Sequence, residues 1–119
     1  MTQSDYMMMS AVNARQPFKS GGREVSAKGE VIDISLCGKP CASVDFDKGL
    51  VTVQGESLTS RKSAKVFNAV LRTYTEASAR SVHGRWRILI PVGMEVEFSG
   101  NRIGVPISRE FENVKNQNK

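Results

Sequence analysis

With one histidine, two cysteines and one tryptophan in 119 residues, the chain is short of the side chains from which metal centres and disulfide frameworks are made. Cys37 and Cys41 lie four apart, outside the paired CxxC arrangement, and His83 is the single imidazole, so no zinc or other metal site is expected. No run of 18 or more apolar residues occurs. The cluster Met7, Met8, Met9 is too short for a membrane span or a secretory core, so a soluble cytoplasmic protein with no membrane contact is expected. Aromatic residues make up only 7%, too few for an evident base-stacking platform. Gly-rich phosphate loops and the serine nucleophile elbow are also missing. No catalytic residue and no cofactor can be assigned, and the chain reads as non-enzymatic.

The most informative shortage is of acid in one segment. From Arg61 to Arg87 the only carboxylate is Glu76, against seven basic residues: Arg61, Lys62, Lys65, Arg72, Arg80, Arg85 and Arg87. That stretch carries +6 while the whole chain carries +5, so the remainder sums to −1. Positive charge gathered on one segment of a nearly neutral body can dock a polyanion, because each phosphate contact releases condensed counterions whatever the base sequence.

Residues 1–28 are rich in Gln, Ser, Asn and Gly with little periodicity, and are expected to form a flexible arm. Arg15, Lys19, Arg23 and Lys28 recur along it and could extend a phosphate-binding surface. From Gly29 alternation begins. Val31, Ile32, Ile34 and Leu36 mark one strand, Ala42, Val44 and Phe46 a second, and Leu50, Val51 and Val53 a third. Were the intervening turn three residues long, Cys37 and Cys41 would face each other across it. Thr59 or Ser60 can cap a helix whose apolar face is Val66, Phe67, Val70, Leu71, Tyr74 and Ala77, with Arg61, Lys65, Asn68 and Arg72 on another face. Residues 77–84 read as a soft connection. Trp86, Ile88 and Ile90 then alternate with Arg85 and Arg87, and Met94, Val96 and Phe98 lead through Ser99, Gly100 and Asn101 into Arg102, Ile103, Val105 and Ile107 as a final hairpin. Phe111 and Val114 allow a short C-terminal helix or tail over 108–119.

The expected fold is therefore α+β: one domain over 29–107, with an antiparallel sheet of five or six strands and one main amphipathic helix on one face, in the order βββαββ(β). The expected partner is nucleic acid, DNA or RNA, or an acidic protein, bound by the seven basic residues as part of a regulatory role. A homodimer through a sheet edge is also open to such a sheet.

Asp33, Ser35 and Gly38 spell D-x-S-x-x-G at a strand end, which resembles the second signature of PilZ domains, the small barrels that bind cyclic di-GMP. That family's first signature is R-x-x-x-R on an arm before the barrel; here Arg15 and Lys19 give R-x-x-x-K. The resemblance covers about six residues and implies an alternative ligand site made of Arg15, Lys19, Asp33, Ser35 and Gly38.

Overall fold

The computed structural model describes residues 2–111. Their elements are α1 (Gln3–Asn13), β1 (Phe18–Ser20), β2 (Arg23–Lys28), β3 (Val31–Leu36), β4 (Lys39–Asp45), β5 (Leu50–Gln54), α2 (Arg61–Tyr74), β6 (Ser78–Val82), β7 (Arg85–Leu89), β8 (Glu97–Ser99) and β9 (Arg102–Pro106). Seven strands form one sheet in the order β1-β2-β3-β4-β5-β9-β8, and β6-β7 form a separate two-stranded ribbon. Every pairing is antiparallel. The α+β class and the central amphipathic helix stand. In place of the expected five or six strands, the described residues hold nine, in two sheets, with a second helix.

Helix α2 starts where Ser60 supplies its hydroxyl to the Ser63 amide while Ser63 reaches back to the Ser60 amide, a reciprocal cap. Val66, Phe67, Val70, Leu71 and Tyr74 then recur on one face and are buried against the sheet. Each such side chain contributes roughly 1.5–3 kcal/mol when fully removed from water. The opposing surface comes from strict alternation: Val25, Ile32, Ile34, Val44, Val51, Val53 and Val105 all point inward. Their alternates form the outer face, where Ser26, Asp33, Ser43, Thr52, Gly104 and Glu97 sit opposite one another across six strands.

The β3-β4 hairpin turns on two residues, Cys37 (φ 51) and Gly38 (φ 81), the positive values a type I′ turn needs. A bulge follows. Ile34 pairs with Ala42 and Ser35 with Pro40, so Cys41 is the extra residue, and consecutive Cys41 and Ala42 are both buried. Cys37 is left exposed at the turn, and both thiols are free. Burial pushes the Cys41 thiol up from its ordinary pKa.

Residues 1–28 depart most from expectation. Instead of a mobile arm, the described part of this segment folds into α1, β1 and β2. Thr2 caps α1 by accepting from the Asp5 amide at 3.1 Å. Asp5, Met8, Met9 and Val12, one helical face, are buried, the last three at 0% exposure. The methionine cluster is therefore core, filling the space between α2 and β2. At its C-terminal end the Arg15 amide donates to Val12 and that of Gln16 to Ala11, which places Arg15 in the left-handed region at φ 55, a position usually held by Gly or Asn. Of the expected short helix or tail over 108–119, residues 108–111 are not helical, and the rest, with Val114, lies outside the described residues. Among the described residues no helix is long and apolar enough to cross a membrane.

Two outcomes follow from this packing. Met9→Ala should lower stability by about 2–5 kcal/mol in urea titration, as for other buried large-to-small changes; an unchanged midpoint would mean the N-terminal helix does not dock. The second concerns Tyr74, whose hydroxyl donates to Asn13 Oδ1 at 3.2 Å. Burial raises its pKa strongly, offset only in part by Arg15. An unfolded tyrosine ionises near about pH 10. The stabilisation linked to Tyr74 is thus complete below that pH and is lost as pH rises above it. Tyr74→Phe should flatten the fall of stability between pH 10 and 12.

Candidate polyanion-binding surface

Because the sheet, α1 and β6 pack around α2, little of that helix reaches solvent. Nine of its 14 residues are buried. What remains is Arg61, Lys62, Lys65 and Arg72, all exposed, with Asn68 half-buried among them. The first turn holds no acid, so Arg61 and Lys62 face the positive end of the helix dipole uncompensated. Lys65, Asn68, Ala69 and Arg72 line a cleft of about 520 Å³ whose other wall is Thr2 and Asp5 of α1. The one carboxylate there is balanced internally: Asp5 is 3.1 Å from Arg23 and accepts from the Thr2 hydroxyl at 2.8 Å. Asp5 Oδ1 and Arg23 Nε are buried without hydrogen-bond partners among the described residues, so attraction of opposite charge, rather than well-directed bonding, holds this pair.

Asn68 joins the helix to the ribbon. Its amide nitrogen donates to the Ala79 carbonyl at 2.9 Å and its oxygen accepts from the Ala79 amide at 2.7 Å. The side chain thus pairs with the edge of β6 as a neighbouring strand would. Strand β6 packs against α2 around this contact. The ribbon turns on His83 (φ 51) and Gly84 (φ 76). That turn fixes the register: Val82 opposite Arg85, Arg80 opposite Arg87, and Ser78 opposite Leu89. Trp86 and Ile88, on the other face, pack against the core. Arg80, Arg85 and Arg87 therefore share the exposed face.

None of the seven predicted cations makes an ion pair among the described residues. Arg15, Arg23 and Arg109, outside that group, are each paired: with Glu30 at 2.8 Å, Asp5 at 3.1 Å and Glu76 at 3.2 Å. Arg109 thereby neutralises the single acid of the 61–87 stretch and also donates to the Arg72 carbonyl at 3.4 Å. Lys62 stands somewhat apart. A Cβ on Gly22 would meet its Nζ at 3.5 Å and Cys37 Sγ at 3.0 Å, so it leans toward the β1-β2 and β3-β4 turns.

Of the four N-terminal cations that could extend the surface, Arg15 and Arg23 are engaged within the fold. The PilZ-like residues are divided: Lys19, Asp33 and Ser35 share the outer sheet face, Lys19 and Ser35 on one row with Glu24 between them, while Arg15 stands away from Gly38. Arg15 lies over the Phe46 ring at 3.6 Å and binds Glu30, just before β3, whereas Gly38 follows the opposite end of that strand. Lys19 is on edge strand β1, and Asp33 and Ser35 are on the outer sheet face. Asp45 and Glu97 are separated by β5 and β9, so those carboxylates form no pair. Among the described residues no three His, Cys, Asp or Glu side chains come together as a metal site would require. Sequence reading missed Asn68 as the junction and the Arg80–Arg87 pairing. The hint was the Val82-His83-Gly84-Arg85 turn, with Gly at its second central position.

No family model, curated protein or solved structure matches this chain.

The junction is open to test. Asn68→Ala removes two hydrogen bonds worth roughly 0.5–1.5 kcal/mol each, so exchange of the Ala79 amide should accelerate well beyond that of core amides such as Val44. Equal effects on both would show that the ribbon is not held by Asn68.

Proposed function

We propose that this protein binds nucleic acid through the cationic surface of α2 and the β6-β7 ribbon, in a non-catalytic, regulatory capacity. One observation carries the reading: the seven cations of residues 61–87 stand unpaired among the described residues, while nearby arginines outside that stretch are matched to carboxylates. A solubilising surface usually intersperses both signs, and like charges lined up at a helix start and across a ribbon oppose folding by small amounts each. A phosphate backbone reverses that balance, since each contact replaces repulsion by attraction and frees counterions. Arg61, Lys65 and Arg72 would supply phosphate contacts, with the three ribbon arginines completing the cationic face and Lys62 at its margin.

Affinity for a 20-base-pair duplex, read by fluorescence anisotropy, should fall with salt with a log–log slope steeper than about −3, as several phosphate contacts require. Arg61→Glu combined with Arg72→Glu should weaken binding at least about tenfold at 0.1 M salt, to a similar extent on unrelated sequences. Binding indifferent to salt would reject the proposal.

A further inference from the structure

We infer that the β6-β7 ribbon enters the major groove of B-form DNA, presenting Arg80, Arg85 and Arg87 to the base edges; this rests on the nucleic-acid reading above and names the duplex it is shaped for. Arg80 and Arg87 are direct cross-strand partners on an exposed face, with Arg85 on the next rung of the same face. Like charges placed directly opposite weaken a ribbon, and no carboxylate among the described residues relieves them. An anionic groove would. The same face also carries Val82 and the exposed Leu89, so guanidinium donors stand beside apolar groups. Guanine O6 and N7 and the thymine methyl are the matching features of a major-groove floor.

The dimensions agree. Two strands about 4.8 Å apart, with side chains, fit a groove about 12 Å wide, whereas a minor groove of about 6 Å is too narrow. The ribbon stands at the margin of the fold, packed on one face through Ala79, Trp86 and Ile88 and tied along the β6 edge by Asn68. Its β7 edge pairs with no further strand. With the ribbon inserted, the cations of α2 beside it would reach the flanking phosphates. An A-form RNA duplex offers no equivalent entry, because its major groove is deep and narrow.

The test compares duplex DNA and duplex RNA of the same 20-base-pair sequence, using the full chain. Wild type should bind the DNA about tenfold more tightly or better. Arg80→Ala combined with Arg87→Ala should bring the DNA affinity down to that for RNA, while Arg61→Ala combined with Lys65→Ala should weaken both by a similar factor. Guanine N7 methylation should interfere with binding of wild type. Circular dichroism confirms that the variants, all at exposed positions, remain folded. Equal affinity for the two duplexes, a DNA preference that survives loss of Arg80 and Arg87, or indifference to N7 methylation would each overturn the inference while leaving salt-dependent binding intact. Failure to bind either duplex would remove the underlying functional reading as well.

Discussion

The burial of α2 on three sides governs the rest of the molecule. Phe67, Val70 and Leu71 close the inner face of the sheet, and Met8, Met9 and Val12 of α1 are fully buried in the same core, with α1 packed on α2. Asn68 fastens the ribbon along the remaining side. A helix so enclosed has only a narrow strip left for polar residues. Any charge it carries must lie on that strip, so enclosure concentrates Arg61, Lys65 and Arg72 instead of spreading them around the helix. The same enclosure sets the cleft against α1 and fixes which way the ribbon faces.

Local rules made α2 and the middle of the sheet legible. The spacing 66-67-70-71-74, the serine cap, and the alternation through β3, β4 and β5 are each written within a few residues of the structure they produce. Helix α1 was hidden by composition. Its apolar positions 8, 9 and 12 follow helical spacing, but they lie among Gln, Ser and Asn, and three consecutive methionines mask the period. Thr2 followed by Asp5 was the usable signal. Strand β6 was hidden for another reason: Ser78, Ala79 and Ser81 have little strand preference, and the strand exists because β7 pairs with one edge and Asn68 with the other. The pairing of β5 with β9 joins residues some fifty positions apart, which no local window reveals.

For the candidate surface, the helical half and the β7 side of the ribbon could be read from spacing, and the β6 side could not. Arg85 and Arg87 announce themselves by alternation. That Arg80 faces Arg87 depends on the two-residue turn at His83 and Gly84, since a shift of one residue would send these side chains to opposite faces. The PilZ-like pattern is divided in the fold, because Arg15 closes α1 at one end of β3 and Gly38 turns the chain at the other.

Charge is also divided between the two layers. The outer face of the sheet mixes both signs, with Glu24, Asp33, Asp45 and Glu97 against Lys19, Lys28 and Arg102. The helix and ribbon carry the unpaired cations. Had folding alone selected this arrangement, the arginines that bridge elements would be expected to include those most crowded by like charge. Instead Arg15, Arg23 and Arg109 bridge α1 to the β2-β3 turn, α1 to β2, and the C-terminal segment to the end of α2, each in a position that steadies the fold. Arg80 and Arg87 face each other across the ribbon with no ion pair among the described residues. Among the described residues, counter-charges stand at these structural junctions and not beside the cations of α2 and the ribbon.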